Sequence, residues 1–218
     1  MVIDLEEKID EKPIIKPTKD GPYLVENLKT FKNSREENIE AKKVMTLCRC
    51  GGSNNKPFCD GTHLKNGFKD KKEDDRVPDD MDDYDGKEII IHDNRGVCSH
   101  RGNCTDNLPV VFRMKKEPWI DPDAADADET ARVIRTCPSG ALSYTKDSVL
   151  IKDLDRKPAI KISKNGPYDI TGGIKLDDPD GSTPESKEHF TLCRCGHSKN
   201  KPFCSGQHWN VEFKDDKN

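Results

Sequence analysis

The sequence predicts an α+β protein in which two small β-rich modules flank a small α+β domain of a different kind. Three observations lead there. The 218-residue chain is poor in apolar residues (32%) and rich in charged ones (36%), so each core must be small and calls for staples such as metals or disulfides. Its nine cysteines are an odd number, which fits complete disulfide pairing badly. A stretch that begins near residue 19 returns, without a gap, 145 positions later.

That repeat defines the outer modules. At the constant offset Cys48, Cys50, Cys59 and His63 fall on Cys193, Cys195, Cys204 and His208. KDGPY at 19–23 falls on KNGPY at 164–168, and Phe68-Lys69-Asp70 on Phe213-Lys214-Asp215. Close to half of about fifty-five aligned positions are identical. Each copy opens with a short β-type run (14–16; 159–162), turns at Gly-Pro, and continues in a second strand (23–28; 168–176). A polar, variable loop then leads to the Cys/His segment. The modules are placed at 12–70 and 156–216. Between them an acidic segment, 71–86, reads as a solvated, flexible spacer, and 87–147 is a unit the repeat does not explain.

The formal charge is −4 with both signs interspersed, and no Lys/Arg stripe carries interleaved aromatics, which argues against a nucleic-acid partner. MVIDLEEKIDEK at the start lacks the apolar stretch of a secretory signal, and no apolar run approaches a membrane span. A soluble cytoplasmic protein with no membrane partner is expected. In a reducing compartment nine cysteines point to metal or redox chemistry.

Cys48 and Cys50 flank one residue, so an extended backbone sends both thiolates to the same side. Asp60 can cap a helix beginning at Gly61, placing His63 in its first turn and facing the loop. Pro57 and Phe58 stiffen the approach. Three thiolates and an imidazole then converge. Such a set serves structural zinc as well as iron–sulfur clusters, although zinc modules usually space their cysteines by about two to four residues. A catalytic Cys–His pair would leave the third thiolate unexplained.

CRCGGSNNKPFCDGTH at 48–63 closely resembles the signature of the CDGSH (NEET) iron–sulfur family. CRCGHSKNKPFCSGQH at 193–208 resembles it too, with Ser205 in place of Asp60 and Gln207 in place of Thr62. With the Gly-Pro-Tyr hairpins the resemblance covers about half the chain. It implies two [2Fe-2S] clusters, one on Cys48, Cys50, Cys59 and His63, the other on Cys193, Cys195, Cys204 and His208. The membrane anchor of some animal members has no counterpart here. Replacing one thiolate by a neutral imidazole makes a cluster less negative, so its potential should lie above that of all-cysteine ferredoxins, and the histidine makes it acid-labile. The second copy loses a carboxylate (Asp60 against Ser205) and gains a cation (Asn54 against Lys199), so it is expected to have the higher potential of the two.

In the central unit Cys98 and Cys104 are joined by CSHRGNC, and Cys137 opens CPSGAL, like the last ligand of a bacterial-type ferredoxin. Asp121 and Pro122 open a helix read through 126–136, on which Thr130, Ile134 and Cys137 share a face. The segment is similar to the divergent mono-cluster [4Fe-4S] family, which keeps three of the four ferredoxin cysteines. The resemblance implies a [4Fe-4S] or [3Fe-4S] cluster on Cys98, Cys104 and Cys137, with His100 the protein candidate for the fourth iron. His92 reads as a polar edge residue and Trp119 as core.

All nine cysteines are then used. The expected function is one-electron transfer by a multi-cluster ferredoxin-like carrier. A cluster donor, store or redox/pH sensor is the alternative, and a zinc-stapled binding scaffold a lesser one. No dinucleotide loop or nucleophile–base constellation is present, so no catalytic residues are assigned and the chain is not expected to be an enzyme. Partners would be redox proteins or apo iron–sulfur acceptors. The chain would act as a monomer with its two repeats paired together, or as a homodimer.

Overall fold

A computed structural model describes residues 11–218. In the first repeat β1 (Ile14–Pro17) and β2 (Tyr23–Glu26) form an antiparallel hairpin closed by the Gly-Pro turn, with Ile15 opposite Val25. Burial alternates along both strands, so Ile15, Tyr23 and Val25 face inward while Lys16 and Glu26 form an ion pair outside. A two-residue strand β3 (Phe31–Lys32) follows, and β4 (Val44–Leu47) then pairs with β2 and hands the chain to Cys48.

The central unit is one four-stranded antiparallel sheet covered by short helices. Its strands are β5 (Asp82–Asp85), β6 (Ile89–Asp93), β7 (Leu142–Lys146) and β8 (Val149–Ile151), in that spatial order. The helices are α1 (Asn103–Asn107) and α2 (Ala127–Ile134). The second repeat supplies β9 (Ala159–Ile162), β10 (Tyr168–Thr171), β11 (Lys175–Leu176) and β12 (Phe190–Leu192), and ends in a single-turn helix α3 (Gln207–Asn210).

The repeats are not beads on a string. β11 of the second repeat joins the first repeat's sheet, running parallel to β1 with Ile15 opposite Leu176. Reciprocally, β3 of the first repeat joins the second repeat's sheet, parallel to β9 with Phe31 opposite Ile160. Under the 145-residue offset these two exchanges are the same contact seen from either side. One hydrophobic core runs through all three units, from Val25 and Phe31 to Ile170 and Phe190 and on to Ile91 and Phe112.

Three elements differ from the expectations. The strand read over 168–176 is broken at Gly172-Gly173, both at positive φ, and Gly172 lies too close to the Pro158 backbone to carry a side chain. The acidic segment 71–86 is no simple spacer. Its end forms β5, and before that Glu73 N donates to Lys199 O (2.8 Å) and Asp79 accepts from Asn94 Nδ2 (2.7 Å). The helix read from Asp121 is two pieces: a 3-10 turn over Pro122–Ala124, then α2, which starts at Asp126. Asp126 accepts from the backbone N–H groups of Asp128 and Glu129, a stronger start than Pro122 offers. No helix among the described residues is long and apolar enough to cross a membrane.

Candidate metal centres

In the first repeat β4 ends at Leu47 and the chain folds back on itself. Cys48 N donates to Pro57 O (2.8 Å) and Cys59 N to Thr46 O (2.9 Å), so two short antiparallel arms bring three cysteines to one end. Ser53 Oγ donates to Phe58 O (2.7 Å) and accepts from Asn55 N (3.0 Å), closing the loop between the arms. The second repeat reproduces each bond: Cys193 N to Pro202 O, Cys204 N to Thr191 O, and Ser198 Oγ between Phe203 O and Asn200 N. Edge-to-face pairs, Phe31 with Phe58 and Phe190 with Phe203, close the floor.

The donor atoms come in pairs. Cys48 and Cys50 Sγ are 3.9 Å apart, and Cys193 and Cys195 Sγ 3.8 Å. Cys59 Sγ stands 3.4 Å from His63 Nδ1, and Cys204 Sγ 3.4 Å from His208 Nδ1. A tetrahedral metal with bonds of about 2.3 Å to sulfur and about 2.0 Å to nitrogen holds neighbouring ligand atoms roughly 3.5–3.8 Å apart. Each pair therefore has the spacing of two ligands on one metal. Among the described residues no three Cys, His, Asp or Glu side chains converge on a single ion.

In each Cys-x-Cys pair the hydrogen bond between the sulfurs lets one thiol of the pair ionise below the ordinary thiol range while its partner is pushed up. Burial pushes Cys204 up as well. His208 is lowered to about 4 by burial and by the positive charges of Arg101 and Arg194. Its Nε2 is buried without a hydrogen-bond partner while Nδ1 faces Cys204, so the ring presents Nδ1 as donor to a metal.

Asp60 does not cap a helix. Gly61 occupies the N-cap with φ +86° and His63 lies on a 3-10 turn, Thr62–Leu64. Asp60 instead ties the loop, accepting from Thr62 N and Oγ1 and from Asn54 N, and these bonds hold its carboxyl at about 2. Ser205 does the lesser part of this, accepting from Lys199 N (3.0 Å). Lys199 is ion-paired to Asp75, which offsets the charge by which the second copy differs. The sites also differ in cover: Cys59 and His63 are half-buried, whereas their counterparts Cys204 and His208 are buried.

Sequence reasoning missed the supports. Arg49, between the first two cysteines, lies over the Tyr23 ring and reaches Thr18 O and Asp70. Its counterpart Arg194 has a fully buried side chain, donates to Gly166 O (2.8 Å), Ser163 O (3.1 Å) and Asp215, and stacks between Tyr168 and Phe213. The Cys-Arg-Cys and Phe-Lys-Asp repeats were visible, and their shared offset was the signal that could have paired them.

In the central unit Cys98, Cys104 and Cys137 line one cavity of about 750 Å³, together with His100, Ser139 and Trp119. They arrive from the loop after β6, from α1, and from the end of α2, whose Thr130 and Ile134 are buried beneath. Burial lifts Cys98 to about 12 and Cys104 to about 11. His100 shares the cavity, but its ring atoms lie over Gly206 of the second repeat, where a Cβ would sit 2.7 Å from Cδ2. Trp209 Nε1 donates to His100 O (3.0 Å), and Asn200 Nδ2 to Gly96 O (2.8 Å). The central loop thus rests on the second repeat's Cys/His loop. His92 bridges Asp83 and Thr145, and Trp119 packs against Phe112 under the Arg95 guanidinium.

A family model described as an iron-binding zinc finger of CDGSH type matches residues 20–64 and again 165–209, and one described as a divergent 4Fe-4S mono-cluster matches residues 84–147. The chain is a tandem CDGSH-type iron-binding protein with a divergent 4Fe-4S mono-cluster domain between the copies. Iron–sulfur binding is therefore a property of the repeats and the insert alike. The central CDGSH-flanked domain begins at 84 in this match, inside β5, in keeping with the sheet. Uncharacterized protein YjdI of Escherichia coli (strain K12) and that of Escherichia coli O157:H7 are each 44% identical over 61 residues, covering 28% of this chain and 80% of theirs. No solved structure matches the chain.

Proposed function

We propose that this CDGSH protein is a one-electron carrier with a [2Fe-2S] cluster in each repeat and a [4Fe-4S] or [3Fe-4S] cluster in the insert. The observation that carries the reading is the seating of the central cysteine loop on the second repeat's Cys/His loop, through His100 on Gly206 and Trp209 Nε1 on His100 O. The two repeats' own loops meet where Cys50 bridges to Cys195. The three sites follow one another as central, second, first. Bound clusters would supply one-electron chemistry at each; the chain supplies their order and their shielding.

The paired spacing of the ligand atoms supports two metals per repeat over a single zinc. His100, turned onto Gly206, is held where it separates the central and second sites, and we assign the central cluster to Cys98, Cys104 and Cys137 alone. The first repeat's face is the exit toward a redox partner. Its Leu64, beside His63, is 81% exposed, whereas Trp209 at the equivalent place is 60% exposed and donates to His100 O of the central unit. The chain would work as a soluble cytoplasmic monomer, as a carrier and not a catalyst. The half-exposed His63 favours a second reading, in which the first cluster is also delivered to apo acceptors.

Anaerobic purification tests this directly. The expected protein is coloured, with iron and sulfide for three clusters, and its reduced form gives electron paramagnetic resonance signals of both cluster types. After rapid partial reduction, electrons should redistribute among the sites at a rate independent of protein concentration. A colourless, zinc-only protein would sink the reading.

A further inference from the structure

Each repeat carries a buried tyrosine at the start of its second strand, Tyr23 on β2 and Tyr168 on β10; each ring lies under its own repeat's arginine, but each hydroxyl reaches the opposite repeat's cysteine loop. Tyr23 Oη lies 2.9 Å from Cys193 O and 3.0 Å from Pro202 O. Tyr168 Oη lies 3.0 Å from Cys48 O and 3.1 Å from Pro57 O. The two rings meet edge to face at 6.1 Å on the axis between the repeats. Both phenols are buried and burial pushes both far up, so they stay protonated donors.

The receiving carbonyls frame the cluster loops. Pro202 O also accepts from Cys193 N, and Pro57 O from Cys48 N, so each tyrosine clamps the joint where the two arms of the opposite loop meet. The loops themselves touch at the Cys50–Cys195 bridge. Gly51 and Gly196, at positive φ, permit that approach: a Cβ on Gly51 would lie 2.4 Å from Cys195 O, and one on Gly196 2.5 Å from Cys50 O.

We propose that Tyr23 and Tyr168 are reciprocal positioning residues, each holding the cluster loop of the opposite repeat, so that the hydroxyl carried by one repeat sets how fast the other repeat's site is lost. A buried hydrogen bond is shared here between two carbonyl acceptors, and removing the hydroxyl takes that donor from the cysteine carbonyl and leaves the proline carbonyl only its bond from the loop's own cysteine N–H. Tyr23→Phe keeps the ring and its edge-to-face contact while deleting the clamp on 193–204. It loosens the second repeat's site and spares its own.

The experiment uses the full chain, with Tyr23→Phe and Tyr168→Phe each placed in a His63→Cys and a His208→Cys background. The cysteine variant marks one site spectroscopically and leaves the other to be followed by its loss of visible absorbance. Tyr23→Phe should speed loss from the second repeat's site about fivefold and leave the first within error; Tyr168→Phe should do the reverse. A merely structural role would speed both sites alike, or the variant's own site, and either result overturns the proposal. Amide exchange of metal-free protein adds a readout that does not depend on the cluster reading. There Tyr23→Phe should raise exchange at 193–204 and not at 48–59, and equal exchange in both loops overturns it. A wild-type protein without iron would remove the proposed function and leave this second arm to decide.

Discussion

Arg194 has no exposed side-chain surface, and its guanidinium is satisfied by two carbonyls and Asp215. Replacing it by methionine would strand a buried carboxylate, so Arg194→Met should cost about 3–5 kcal/mol in urea unfolding. Arg49→Met should cost clearly less, because Asp70 retains Lys19 Nζ at 3.0 Å and meets Arg49 only at 3.5 Å. Asp93 is the opposite case, a carboxylate buried with neither oxygen hydrogen-bonded. Burial raises it from 3.8 to about 7, with the Arg95 guanidinium offsetting part of the shift. The folded state then holds the proton more tightly than the unfolded one, so stability falls as pH rises from about 4 to about 7. Asp93→Asn should remove that slope and be the more stable protein at about pH 8, by at most roughly 4 kcal/mol, as read by urea midpoints across the range. At this scale the pairing of Cys48 with Cys50 and of Cys59 with His63, and of their counterparts, was legible because their spacing is local. Arg49, Arg194 and the tyrosines were not, because their partners lie 21 to 179 positions away.

At the scale of the element, the two Cys/His loops have one backbone plan and unequal cover. Sequence charge alone favoured a higher potential for the second copy. Lys199's pairing with Asp75 and the burial of His208 (3% exposed) both work against that order, since burial disfavours the more negative reduced state. The clearer consequence concerns access. His63 is half-buried, so water and acid reach the first loop before the second. On stepping the pH down to mildly acid values, visible absorbance should fall in two phases, the faster one absent from His63→Cys and retained in His208→Cys. A single phase in the wild type would show that cover does not set lability. The hairpins and the Cys/His arms could be read from Gly-Pro turns and a β period. The start of α2 was missed because Pro122 carries a start signal four residues before Asp126, whose side chain makes the cap bonds that Asp121 does not.

The whole molecule was legible as a duplication around an insert, and its strand exchange was not. Two-residue strands such as β3 and β11 leave no periodic trace, and parallel pairing between repeats has no local turn to announce it. Without β11, the outer edge of β1 would be an open strand edge. A fragment limited to residues 11–70 should therefore associate with itself, its mass by sedimentation rising with protein concentration, whereas the full chain should not change mass. A fragment that stays monomeric at all concentrations would show that the exchange is dispensable. In the intact chain the exchanging strands are tethered, so each meets its receiving sheet at an effective concentration on the order of millimolar. Dilution cannot part them, so a protein whose nine cysteines are all free of disulfides has a topological substitute for one.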